Sequence, residues 1–257
     1  NANANAIGIA GGPGENFIHN SGDISASGTA TAQTVGVTVS LATVAKGRAN
    51  LAANADATGI AGGAAREEIS NAGKITAIAN SAANRIGVSA TLYDLSAVQE
   101  FFDDTTENET FARASAIGID GAAGNDWLAN LNQLSASATS KVFAVSVSVG
   151  SVGVPELSDV GNLIFGEPLV SLDRVAVADA TALLGGAGDD ELRNAGTLAA
   201  NAHAETDVYS VDVGLALPIP LSPPIGLSFA SAGSSNSASA TGIAGGTGND
   251  NIQNTST

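Results

Sequence analysis

A Gly-Gly-like pair opens the same short segment five times in this 257-residue chain, at Gly11, Gly62, Gly121, Gly185 and Gly245. The spacings are 51, 59, 64 and 60 residues, and the register around each pair holds over a long window. Seven residues before the pair stand Ala4, Ala55, Ala114, Ala178 and Ala238; two before it stand Ile9, Ile60, Ile119, Leu183 and Ile243. Seven after it come Ile18, Ile69, Leu128, Leu192 and Ile252, and nine after it Asn20, Asn71, Asn130, Asn194 and Asn254. Ile24, Ile75, Leu134 and Leu198 follow, then Ala26, Ala77, Ala136 and Ala200, and later Val37, Val88, Val147 and Val211. A repeat this strict constrains the fold more than any local propensity, because each unit must bury itself against copies of itself.

Length varies at only one place in the repeat. A window of 38 residues is constant, and residues 40–52, 91–111, 150–175 and 214–235 absorb the differences. Insertions at a single point map to loops on one face of a stacked array. These segments also hold Pro155, Pro168 and the run Leu217-Pro218-Ile219-Pro220-Leu221-Ser222-Pro223-Pro224. Proline cannot donate to a sheet ladder, so it belongs there.

Inside the window the hydrophobic period is two, the signature of strands. Ala53, Ala55 and Ala57 alternate with Asn54, Asp56 and Thr58, and Ile69, Asn71, Gly73, Ile75, Ala77 and Ala79 continue the alternation. The parity then shifts at Ile86-Val88-Ala90, which predicts a corner or bulge where side chains swap faces. Strand, glycine turn, strand, corner, strand and variable loop, repeated in register, predict an all-β parallel β-solenoid, β-helix-like or β-roll-like. Residues 1–257 form a single array of about four and a half coils of 51–64 residues. Like residues then stack at roughly 4.8 Å per coil. Ala columns make a thin core, Ile/Leu columns an apolar ladder, and the Asn column an amide ladder.

Composition narrows the function. There is no Cys, which excludes a disulfide framework, a thiolate zinc site and a cysteine nucleophile. The net charge of −16 argues against a nucleic-acid-binding face and against an anionic membrane. No apolar run approaches the ~20 residues of a transmembrane helix. His19 and His203, the only histidines, occupy different columns, so no Ser-His-Asp triad assembles.

The turn sequences carry the chemistry. They read Gly185-Gly186-Ala187-Gly188-Asp189-Asp190-Glu191-Leu192, Gly245-Gly246-Thr247-Gly248-Asn249-Asp250-Asn251-Ile252 and Gly121-Ala122-Ala123-Gly124-Asn125-Asp126-Trp127-Leu128. They resemble the haemolysin-type (RTX) calcium-binding nonapeptide, in which glycines free the backbone to aim carbonyls and an aspartate supplies a hard carboxylate. The resemblance implies Ca²⁺ held by Gly121, Asp126, Gly185, Gly186, Gly188, Asp189, Asp190, Gly245, Gly246, Gly248, Asn249 and Asp250. It covers about nine residues per repeat and weakens towards the N-terminus, where Asn16 and Glu67 replace the aspartate in segments 11–18 and 62–69. The nonapeptides are also not in tandem; solenoid stacking would nevertheless bring the loops together in space, which leaves room for ions between successive coils. The stretch Asn71-Ala72-Gly73-Lys74-Ile75-Thr76-Ala77, matched by Asn194-Ala195-Gly196-Thr197-Leu198-Ala199-Ala200, is similar to coils of large secreted adhesins of the filamentous-haemagglutinin and autotransporter kind.

Together these features predict an extracellular, cell-surface structural or adhesive protein without enzymatic activity, stabilised by calcium. Residue 1 falls inside a repeating pattern, which suggests an excerpt or a processed chain. An unfinished coil at each end predicts either head-to-tail self-association into a filament or continuation of a longer solenoid. Surface glycans are candidate partners; nucleic acid and membrane insertion are not expected. The alternative is a β-helix carbohydrate-active enzyme or carbohydrate-binding module, with Asp103, Asp104, Glu107 and Glu109 as the acidic cluster and Trp127 as a stacking platform. Asn108 and Asn254 lie in glycosylation sequons. Thr58, Thr181 and Thr241 share a column that Ile7 and Ile117 interrupt, which disfavours a flat ice-binding face.

Overall fold

The computed structural model describes residues 1–40, 50–91, 108–152, 172–216 and 233–255. Most of the variable segments, with Asp103, Asp104, Glu107 and the Pro-rich run, lie outside these residues. Each coil contributes a long strand, a short strand and a second long strand. The first coil has β1 (Ala2–Gly12), β2 (Asn16–Asn20) and β3 (Ile24–Ser40); the second has β4 (Leu51–Gly63), β5 (Glu67–Asn71) and β6 (Ile75–Thr91). The third has β7 (Asn108–Ala122), β8 (Trp127–Asn130) and β9 (Gln133–Val152), and the fourth β10 (Leu172–Ala187), β11 (Glu191–Asn194) and β12 (Thr197–Ala216). β13 (Gly233–Thr247) and β14 (Asn251–Asn254) begin a fifth.

Equivalent strands stack into three parallel sheets. The first is β1-β4-β7-β10-β13, the second β2-β5-β8-β11-β14 and the third β3-β6-β9-β12. Pairing follows the sequence columns residue by residue: Ala4 faces Ala55, Ala55 faces Ala114, and Ala178 pairs with both Ala114 and Ala238. The Ile/Leu, Asn and Val columns are in the same register. The chain is a parallel β-solenoid. Its ladders reach into all four variable segments, since β4 starts at Leu51, β7 at Asn108, β10 at Leu172 and β13 at Gly233.

The interior has two parts with different side chains. Between the first and third sheets lies a slab of alanine, including Ala53, Ala55, Ala114 and Ala178 from one side and Ala77, Ala79, Ala136 and Ala138 from the other. Methyl groups alone let the two sheets lie closer than the ~10 Å usual for stacked sheets. Where the second sheet closes the coil, three sheets meet and larger side chains fill the space. Ile60, Ile119 and Leu183 from the first sheet, Ile69, Leu128 and Leu192 from the second, and Ile75 and Leu134 from the third are all fully buried there. Each contributes roughly 1.5–3 kcal/mol through burial.

The corner into the third sheet is held by the asparagines. Asn20, Asn71, Asn130 and Asn194 each donate Nδ2–H to Oδ1 of the next asparagine, at 2.7, 2.8, 2.8 and 2.8 Å, ending on Asn254. Asn20, Asn130 and Asn194 also donate to the carbonyl two residues ahead, which closes the corner locally. An amide donates and accepts at once, so a column of asparagines satisfies itself indefinitely.

The predicted corner at Ile86 is absent. β6 runs unbroken, and Ile75, Ala77, Ala79, Ser81, Ala83 and Arg85 all remain inside. The parity shift instead marks an exchange of polarity between the two faces of one flat strand. Val35, Val37 and Val39 lie on the outer face at 69%, 67% and 64% exposure, in register with Ile86, Val88 and Ala90. Inside, the same stretch carries Arg85 and Gly87. β-Branched residues favour strand on either face, so their alternation does not by itself say which face is inside.

A thin alanine slab has no space for larger side chains, whereas the Ile/Leu wedge depends on them. Ala114→Leu is expected to lower stability by about 1–3 kcal/mol despite the added apolar surface, and Ile119→Ala by about 2–5 kcal/mol. Urea denaturation of both variants checks this. A stabilised Ala114→Leu chain would show that the sheets are not in close contact there.

Candidate functional site

The glycine turns between the first and second sheets stack into one column. Gly186 and Gly188 adopt φ of 112° and 134°, and Gly246 and Gly248 match them at 110° and 139°. Such left-handed backbone disfavours any side chain. In the third coil Ala122 takes the position of the second glycine with φ 74°. Its N–H donates to Asp120 Oδ1 at 3.0 Å, which holds the strained residue in place. The first glycine is needed for another reason. A Cβ on Gly185 would lie 2.6 Å from Asp190 Oδ2, and one on Gly121 would lie 2.7 Å from Asp126 Oδ2. The aspartate of each turn folds back over its own first glycine.

These aspartates form an inner column that fastens each coil to the one before it. Asp126 Oδ1 accepts the Glu67 N–H at 2.7 Å, Asp190 Oδ1 accepts the Asp126 N–H at 2.9 Å, and Asp250 Oδ1 accepts the Asp190 N–H at 3.1 Å. A second column runs on the outer side with the opposite polarity. Asn125 Oδ1 accepts the Asp189 N–H at 3.0 Å, and Asp189 Oδ1 accepts the Asn249 N–H at 2.8 Å. Asp189 and Asn249 are exposed, whereas Asp126 and Asp190 are each 2% exposed. The structure therefore brings Asp126, Asp190 and Asp250 together with Gly121, Gly185, Gly186, Gly188, Gly245, Gly246 and Gly248 at one turn column. It places Asp189 and Asn249 on the opposite side of it.

The inner column is electrostatically incomplete. Among the described residues, Asp126 Oδ2, Asp190 Oδ2 and Glu67 Oε2 are buried without a hydrogen-bond partner. Burial, together with the neighbouring Glu67 and Asp190, pushes Asp126 up to about 7. Burial likewise raises Asp190, with Asp250 and Asp189 adding to the effect. Unpaired carboxylate oxygens in successive coils leave two ways to satisfy the column: a proton, which Asp126 could donate to Glu67, or a cation. The hard oxygens suit Ca²⁺. Among the described residues, however, no three His, Cys, Asp or Glu side chains converge on one point. A bound ion would thus be completed by backbone carbonyls and water.

Glu67, fully buried, belongs to this column although its turn departs from the motif. Its place was visible in the sequence, five residues after Gly62 as Asp126 follows Gly121. Asn16 ends the column and donates to Glu67 Oε1 at 3.3 Å. The other candidates among the described residues do not assemble. His203 is exposed and Glu205 half-buried on the third sheet, where Glu205 pairs with Lys141 at 2.8 Å. His19 is exposed on the second sheet, and Glu109 is exposed at the start of β7. Trp127 pairs with Glu68 and Glu191 along the second sheet. The sequon residues Asn108 and Asn254 lie in β7 and β14.

Burial raises Asp126 above its unfolded value of about 3.9, so between about pH 4 and 7 the folded chain holds a proton that the unfolded chain has released. Stability in chelator is expected to be greatest below pH 4 and to fall as pH rises towards 7. Asp126→Asn keeps the acceptor for the Glu67 N–H and removes the charge, so it should flatten that slope; Asp190 and Asp120, also raised by burial, keep it from vanishing. Urea unfolding across this range decides, and a wild-type profile without slope would contradict the buried-carboxyl account.

No family model, curated protein or solved structure matches the chain.

Proposed function

We propose that the chain is a non-enzymatic, extracellular structural or adhesive segment whose coils join end to end with further coils of the same pattern, stabilised by calcium at the glycine turns. The observation that carries this reading is the buried aspartate column, which both fastens successive coils and leaves carboxylate oxygens unpartnered. Asp126, Asp190 and Asp250, with Glu67, are the residues that would hold the ion. When bound, Ca²⁺ would neutralise the like charges that stacking forces together. The likeness of the turns to the RTX nonapeptide and of the corner sequences to secreted adhesins supports a cell-surface location.

End-to-end joining rests on the edges of the three sheets. The outer edges of β1, β2 and β3 at one end, and of β12, β13 and β14 at the other, have no neighbouring strand among the described residues. A further coil, from the same chain or another copy, would continue every column, including the asparagine ladder from Asn254.

A second reading, a carbohydrate-binding module, is favoured by a shallow groove on the outer face of the first sheet. Asn3, Asn5, Asn54, Asp56, Phe111 and Arg113 line it, a mixture of amide, charge and aromatic suited to sugar hydroxyls.

Calcium is expected to raise the melting temperature at pH 8, more than equimolar magnesium does, and excess chelator to reverse the rise through binding linkage. Asp190→Asn should reduce the increment. An unchanged melting temperature would remove the metal while leaving the solenoid intact. For assembly, negative-stain electron microscopy of concentrated protein is expected to show rods lengthening with concentration. Short monodisperse particles at every concentration would sink self-association.

A further inference from the structure

The alanine slab ends in charge. Two steps along the first sheet from Ala178, towards the start of β10, the inward positions change from Ala176 to Arg174, which is 1% exposed. Across the lumen, the third sheet makes the same change from Ala83 to Arg85, 8% exposed. The coil between them is small at this level. Arg174 pairs in register with Thr110, and Arg85 with Ala144. Ser140 Oγ, donating to the Ala112 carbonyl at 2.8 Å, shows that the two sheets face each other here across a short gap. Thr110 and Ala144 are thus the small residues of the third coil that stand between an arginine of the second coil and one of the fourth.

Among the described residues, Arg174 Nε, Nη1 and Nη2 are all buried and make no hydrogen bond, and neither does the buried hydroxyl of Thr110 beside it. Burial and the charge of Arg85 push Arg174 down to about 10, so it remains a cation at neutral pH. A guanidinium shut away from water without an anion is among the most costly arrangements in a protein interior. A fork of N–H donors beside a hydroxyl is the arrangement that recognises an oxyanion.

We infer that Arg174, with Arg85 and Thr110, forms an internal site for a small oxyanion of the sulfate or phosphate class, bound between the second and fourth coils. The anion would bind the fork of Arg174 and accept the Thr110 O–H, and its charge would offset that of the buried Arg174. This site is separate from the aspartate column: it lies at the other end of the strands, takes the opposite charge, and stands whether or not calcium binds.

Equilibrium dialysis of the full chain against radiolabelled sulfate, in chloride buffer of constant ionic strength, tests the site. The wild type is expected to bind one sulfate per chain saturably, and phosphate should compete. Arg174→Met should weaken binding roughly tenfold to a hundredfold, as loss of charged hydrogen bonds does. Thr110→Val, which keeps both charges and the shape, should weaken it by about two- to tenfold and covers the case in which Arg174→Met fails to fold. No saturable binding by the wild type overturns the inference; if Arg174→Met then also unfolds more readily, a carboxylate of the chain itself fills the site. Equal binding by wild type, Arg174→Met and Thr110→Val also overturns it.

Discussion

In-register stacking makes each residue the neighbour of its own counterpart in the next coil, so a side chain is acceptable only if it tolerates a copy of itself a strand spacing away. Apolar residues meet this condition without cost, and the Ala and Ile/Leu columns accordingly occupy the interior. Asparagine meets it by donating and accepting in the same direction, which is why five asparagines can line a corner from Asn20 to Asn254. Aspartate does not. An Asp column fastens the coils through one oxygen and accumulates repulsion through the other, and that conflict is the one chemically active feature of the turn.

The two columns at the turn resolve this conflict differently. The outer column alternates Asn125, Asp189 and Asn249, so that no two carboxylates are adjacent among these three coils, and it is exposed to water. The inner column sets Glu67, Asp126, Asp190 and Asp250 in succession, largely out of water. Both make the same backbone contact. If fastening were the only demand, asparagine would serve the inner column as well, since its Oδ1 accepts an N–H equally and its amide could donate onward. Retention of the acid in four successive coils is therefore the strongest argument for a proton or cation there.

What could be read from the sequence divides along the same line. The columns from Ala4 to Ala238 and from Asn20 to Asn254 gave the strand pairing directly, because a parallel in-register ladder is a sequence alignment made physical. The face on which a column lies was less accessible. The valines beginning at Val35 read as inward because they are apolar, yet they lie outside while Arg85 points in. Nor could the motif separate Asp189 from Asp190, since both lie in the turn between β10 and β11, where backbone geometry rather than a strand period decides which way each side chain projects, and a linear pattern records only their spacing. Arg174 was hidden for another reason: its column, Leu51, Thr110, Arg174 and Ser234, is not conserved in character from coil to coil.

Irregular columns are thus where this architecture can hold a specific site. A regular column repeats whatever it does in every coil, which suits fastening and growth along the axis but cannot single out one position. Leu51, Thr110 and Arg174 differ in size and charge within one inward column, and only such a break sets a charged group beside smaller, unlike neighbours. The same reasoning separates the roles of the two ends of the strands. At the glycine turns the inner column is acidic in every coil from Glu67 to Asp250, and its chemistry is cumulative along the axis. Towards the variable segments the columns diverge, and any recognition that distinguishes one coil from another has to be located there.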